Sequence, residues 1–161
     1  MKQLERVTDI DASPTAVWEV LVDFESYPEW NPFVTALSGE KVEGERLRVR
    51  IEPPAGRGMT FKPRVTDAVE GEHFGWLGRL FVPGLFDGHH EFLLEETDDG
   101  RTRFVQRESF SGVLVGVLLD EADVLAGFDA MNGALKERVE RVEREAATTS
   151  TPAGTSEGTV R

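Results

Sequence analysis

The sequence contains no cysteine. That absence excludes disulfides, thiolate nucleophiles, cysteine-ligated zinc and iron–sulfur centres together. Lysine is scarce: Lys2, Lys41, Lys62 and Lys136 are the only four, beside fourteen arginines. Basic residues are outnumbered overall, 18 Lys+Arg against 30 Asp+Glu, for a net charge of −12. Such a balance argues against nucleic acid or an anionic membrane as partner, because both are bound by neutralising phosphates. The acidic excess with few lysines resembles proteins adapted to high salt, where screening relieves self-repulsion. No apolar run approaches the ~20 residues that span a bilayer. Met1 to Asp11 lacks the basic-then-apolar pattern of a signal peptide. A cytoplasmic protein without stable membrane insertion is expected, acting as a monomer or homodimer.

Catalytic signatures are also missing. The loop Pro53–Gly58 has glycines but neither the lysine nor the following helix of a phosphate-binding loop. There is no Gly-x-Ser-x-Gly elbow and no histidine pattern of a zinc hydrolase. His89 and His90 are adjacent in a strand-like segment, so they point to opposite faces and cannot share one metal; Asp87 does not repair this. No metal and no cofactor are expected.

What is present suits one folded body. The chain has 161 residues, 39% apolar and 30% charged, a length that usually forms a single domain. Residues 1–145 carry alternating strand and helix patterns and read as that domain. Ala146–Arg161 is Thr, Ser, Gly, Ala and Pro with little apolar bulk, so it reads as a disordered tail. Ser13-Pro14 opens a first helix, with Ser13 as cap and Pro14 at the first helical position. Val17, Trp18, Leu21 and Val22 follow at helical spacing, and Tyr27 to Pro32, with two prolines, forms a second short helix or turn. The period then becomes two. Leu47, Val49 and Ile51 alternate with charges, and Phe61 to Val69 is a strand despite Pro63. Phe74, Trp76 and Leu80 share one strand face, as do His90, Phe92 and Leu94, and then Phe104, Gln106, Glu108 and Phe110. Asp98-Asp99-Gly100 marks a hairpin turn. A long helix from about Val117 to Glu145 carries a stripe of Leu118, Leu125, Asn132 and Val139, interleaved with Glu121, Phe128, Leu135 and Val142. Glu137 with Arg141 and Glu140 with Arg144 pair on its outer side. Hairpin-linked strands with segregated helices mean α+β. The expected architecture is a curved antiparallel sheet of six to seven strands around the long C-terminal helix, with two short helices after the first strand. One helix does not fill a wide curved sheet, so a cavity between them is expected.

Several segments carry a family resemblance. Ile10 to Pro14 with Val17-Trp18-Glu19-Val20-Leu21, and Asp23 to Pro32, resemble the opening of START-like, helix-grip proteins. Trp76 to Leu80, Pro83 to Gly88 and Phe104 to Gly112 are similar to the polyketide cyclase/dehydrase and lipid transport family of the SRPBCC superfamily. The resemblance covers about residues 3–145 and implies the helix-grip fold and a central cavity. It says little about chemistry, since one fold serves many functions.

The last strand places Glu108 on the inward face. There it is a general base, a ligand-orienting group, or a carboxylate paired with an arginine or wet at the cavity mouth. His90 is either its acid/base partner or a structurally bonded histidine. Trp76, Phe92, Gln106, Phe110, Phe128, Asn132 and Leu135 are candidate ligand contacts; the alternative is plain core, and for Asn132 a backbone hydrogen bond. Leu85 and Phe86, in a glycine-hinged loop, are a candidate lid. Trp18 and Trp30 are assigned to structure. Two functions compete: binding or carriage of a small hydrophobic molecule of lipid, isoprenoid, quinone or polyketide type, and a polyketide cyclase/dehydratase-like enzyme using Glu108 and His90. A protein-interaction role ranks third, because the acidic surface offers no basic footprint.

Overall fold

The computed structural model describes residues 1–151. Strand β1 (Lys2–Ile10) leads into α1 (Pro14–Leu21), a single 3₁₀ turn at Phe24–Ser26 and α2 (Tyr27–Trp30). Seven strands follow: β2 (Val34–Ser38), β3 (Arg48–Ile51), β4 (Met59–Phe61), β5 (Arg64–Val69), β6 (His73–Leu80), β7 (Phe86–Glu96) and β8 (Thr102–Ser111). A one-turn helix α3 (Val115–Leu118) precedes the long α4 (Glu121–Thr149). No described helix is long and apolar enough to cross a membrane.

Local chemistry sets the boundaries. Ser13 Oγ accepts the Ala16 amide, and Pro14 sits where no amide hydrogen is needed. Asn31 Oδ1 accepts the amides of Phe33 and Val34 and turns the chain into β2. Asp120 caps α4 by accepting the Asp123 amide.

The strands form two antiparallel sheets, one of five in the order β1-β8-β7-β6-β5 and one of three, β2-β3-β4. They are stitched together where residues 44–47 meet 63–65: Leu47 donates to the Pro63 carbonyl, Val65 to that of Glu45, and Gly44 to that of Val65. The architecture is the expected one, with eight strands in two sheets close to the six to seven anticipated in one. β2 is an added strand, and the expected strand Phe61–Val69 is divided at Lys62-Pro63 into β4 and β5, one in each sheet.

The buried face of α4 consists of Gly127, Phe128, Met131, Asn132, Leu135 and Val139. It lies on the concave side of the large sheet, over Phe74, Phe92 and Phe104, all fully buried. α1 closes the same end with Val17, Trp18 and Leu21. Two corrections concern the long helix. It starts at Glu121, because Leu119 is extended and Asp120 caps afresh; Leu118 belongs to the separate α3. It also continues past Glu145 to Thr149, so residues 146–149 of the expected tail are helical, while 152–161 lie outside the described residues. Glu140 pairs with Lys136 at 2.7 Å instead of with Arg144.

Two groups pin the packed end. The Tyr27 hydroxyl donates to the Leu21 carbonyl at 2.6 Å inside the core. Its burial, reinforced by the nearby Asp23 carboxylate, drives its pKa far above the ordinary tyrosine value. Glu140 accepts from Lys136 and from the Asp11 amide, which together hold its carboxyl below the usual range.

Candidate functional site

Strand register lays the inward side chains of β6, β7 and β8 out in rows. Phe74, Phe92 and Gln106 are opposite one another; next come Trp76, His90 and Glu108; then Gly78, Gly88 and Phe110; and at the edge Leu80 faces Phe86. Going along these rows, the face changes from full to empty. Phe74, Phe92 and Gln106 are completely buried, with Phe92 stacked on Phe104 at 5.9 Å. Two rows further along the same strands the pair Gly78–Gly88 contributes no side chains, and a cavity of about 280 Å³ opens over it. That is close to the lower end of small-molecule sites, roughly 300 Å³.

The cavity has four walls. Gly78, Gly88, Glu108 and Phe110 form the floor. The small sheet contributes Ile51, Met59 and Phe61, joined by Phe33. Leu118, Leu119 and Val124 of the α3–α4 region close the top, and the loop Pro53–Gly58 crosses the mouth. Phe33 holds its place because α4 carries Gly127 there; a Cβ at that position would come within 2.5 Å of the Phe33 ring. The mouth loop is tied to α4 by the Ala55 amide, which donates to Asp123 Oδ1 at 2.7 Å.

Charged groups at the cavity are few. Arg57, Arg79, Asp120 and Asp123 line its mouth. Asp120 and Asp123 are engaged by the cap and the loop tether, and Arg79 Nε lies 3.8 Å from Asp87. Glu108 is different, because it sits on the floor. Its Oε2 is 3.1 Å from His90 Nδ1, and His90 Nε2 is 3.0 Å from Gln106 Nε2. The His90 ring lies parallel to Trp76 with centroids 4.9 Å apart and meets Phe128 edge-on at 5.4 Å. A polar chain therefore runs from the sealed core to the cavity floor, and only its last member reaches the cavity.

Glu108, Phe110 and Phe86 are where the sequence places them, on the cavity wall. His90 touches Glu108 as expected, yet it is 3% exposed and stands behind that carboxylate, off the wall. Trp76, Phe92, Gln106, Phe128, Asn132 and Leu135, the other candidate contacts, are buried in the core and lie off the cavity wall. The reason is that Phe128, Met131 and Leu135 of α4 descend onto that end of the sheet and fill it. Asn132 Nδ2 reaches the Arg6 carbonyl at 3.5 Å, a backbone contact. The lid splits. Phe86 opens β7 and packs on Phe110 at 5.7 Å, whereas Leu85 lies off the wall with its carbonyl accepting the Leu114 amide. The sequence reading missed Gly78 and Gly88, although both sit at inward parity between recognised residues. It also missed Phe33, Met59, Phe61 and Asp123, which topology alone brings in.

No curated protein matches the sequence. Among solved structures, the Zhui aromatase/cyclase from Streptomyces sp. R1128 superposes with a TM-score of 0.70 at 23% identity, covering 90% of this chain and 97% of its own. A START superfamily protein from Mycobacterium smegmatis gives 0.68 at 17% identity, covering 87% and 98%. A protein from Rhodobacter sphaeroides gives 0.69 at 16%, covering 87% and 93%. These likenesses establish the START-like helix-grip fold. Residues 1–147 match the family model for polyketide cyclase / dehydrase and lipid transport, and the chain belongs to that family.

Proposed function

We propose that the protein binds a small, largely apolar molecule in the cavity above Gly78 and Gly88, and carries or presents it. The observation that carries this reading is the cross-strand glycine pair. It empties one end of a face that is otherwise packed solid, while Phe33, Phe61, Phe86 and Phe110 keep the space apolar. Removal of apolar surface from water then supplies the affinity, at about 25 cal/mol per Å².

A second reading is favoured by one specific feature. Glu108 puts a carboxylate on an apolar floor with an imidazole behind it, the pairing a general base needs. The protein is then an enzyme of cyclase or dehydratase type, with Glu108 as the group that touches the substrate. The Zhui aromatase/cyclase, on the same fold, supports keeping this reading.

Titration with a neutral apolar fluorophore, N-phenyl-1-naphthylamine, tests the first reading. Saturable one-to-one binding that Gly78→Leu abolishes is expected. Absence of saturable binding, or binding untouched by that substitution, overturns it. For the second reading, turnover of a polyketone that survives Glu108→Gln removes the catalytic assignment.

A further inference from the structure

We propose that the cavity selects its ligand by a hydrogen-bond donor, a hydroxyl or phenol, and that Gln106 and His90 are positioning residues that fix Glu108 as the acceptor. The inference rests on the ligand-binding reading above and narrows its ligand class.

The argument starts in the core. Gln106 is completely buried, and its Nε2 lies 3.0 Å from His90 Nε2 and 3.5 Å from Met131 Sδ. An amide nitrogen only donates, and a thioether has no proton to give. In the observed orientation both N–H groups find acceptors, and Oε1 alone is left without a partner. Turning the amide over would set Oε1 against the sulfur and strand both N–H groups. Orphaned N–H groups are rarer than under-satisfied carbonyls, so Met131 settles which way the amide faces.

The next step follows from the first. A donor facing His90 Nε2 requires that nitrogen to accept, so the ring proton is on Nδ1. Nδ1–H then donates to Glu108 Oε2 at 3.1 Å. The ring cannot turn over easily, because it is stacked on Trp76 and abutted by Phe128. This is the only side-chain hydrogen bond Glu108 makes among the described residues. Its other oxygen, Oε1, lies over Gly88, where an added Cβ would come within 2.6 Å of it.

An ionised carboxylate accepts and never donates. A ligand hydroxyl at Oε1 gains a charge-assisted hydrogen bond. A ketone, ether or quinone presents lone pairs to it, and an anion presents like charge. Arg57 and Arg79 at the mouth favour anions instead, so an anionic probe belongs in the test.

Three probes on one ring system separate these cases in calorimetric titrations of the whole protein: 2-naphthol, 2-methoxynaphthalene and 2-naphthoate. We expect 2-naphthol to bind at least about tenfold tighter than the other two, since only it avoids an unpaired polar contact. Glu108→Gln should invert the preference. The amide oxygen would take the His90 Nδ1–H and leave an N–H₂ facing the cavity, which suits the methoxy compound. A ¹⁵N spectrum of histidine-labelled protein should show His90 as the Nδ1–H tautomer. In Gln106→Leu, with the fold checked by circular dichroism, that tautomer should become mixed and the naphthol preference should shrink. Equal binding of naphthol and its methyl ether overturns donor selection and leaves the ligand-binding reading standing. Tightest binding of naphthoate overturns it in favour of the arginines. An Nε2–H tautomer overturns the positioning roles. If none of the three probes binds, it is the ligand-binding reading itself that fails.

Discussion

At one end of the concave face Phe74 and Phe92 belong to one buried cluster with Phe104 and with Phe128, Met131 and Leu135 of α4. Four residues away on the same two strands, Gly78 and Gly88 face the same side and border a cavity. Backbone, register and sheet are shared by both ends. Only side-chain volume and the position of the helix differ. The cavity is therefore made by leaving two positions empty, and the filled end supplies the stability that the hollow end does not.

Predictions can be set against that contrast, starting with the largest effect on stability. Phe104→Ala removes a fully buried ring at the filled end and should cost about 3–5 kcal/mol in chemical denaturation. Probe affinity at the hollow end should hardly change; a parallel loss of affinity would break the distinction between the ends. Tyr27→Phe should cost about 1–3 kcal/mol by stranding the Leu21 carbonyl. Tyr27 also gives a pH signature. Its folded pKa is raised, so in alkali only the unfolded chain loses the proton. Its contribution is complete below about pH 10 and declines above it by up to about 1.4 kcal/mol per pH unit. Denaturation between pH 9 and 11 should show this decline in the parent and a weaker one in Tyr27→Phe.

Gly88→Ala should do the reverse of Phe104→Ala. The added methyl meets the flexible end of Glu108, so stability should shift by less than about 1 kcal/mol. Binding of 2-naphthol should weaken by at least about tenfold, because Oε1 is displaced. A large stability loss with intact binding would contradict the account of the floor. Glu140→Gln is the smallest change, below about 1 kcal/mol for a half-buried pair at the surface. The lowered pKa of Glu140 means that its contribution is present above about pH 4.3 and lost as the pH falls further. The parent and Glu140→Gln should therefore converge in stability under acid.

Period and turn chemistry made most of the fold readable. The alternation at Leu47, Val49 and Ile51, the cap at Ser13-Pro14 and the turn at Asp98 to Gly100 all correspond to observed elements. β2 escaped notice because a register shift between Val34 and Ala36 leaves its buried residues, Val34 and Leu37, three apart instead of two. The start of α4 was misplaced because Val115 to Leu119 continues the apolar pattern across a break that Asp120 marks. Its last turn was missed because Ala146 and Ala147 favour helix without burying anything. Parity correctly put Glu108 beside His90 and on the inward face. The aromatic residues divide for a simpler reason: Phe86 and Phe110 stand beside the glycine pair and border the cavity, whereas Trp76, Phe92 and Phe128 lie where the face is filled.

The tether between Asp123 and the Ala55 amide has a kinetic meaning of its own. One hydrogen bond spans 68 residues of sequence and holds a loop, stiffened by Pro53 and Pro54 and loosened by Gly56 and Gly58, across the entrance. On the binding reading proposed above, that entrance sets how long a guest stays, whereas the floor sets how well it fits. Residence time and equilibrium strength then fall to separate parts of the chain.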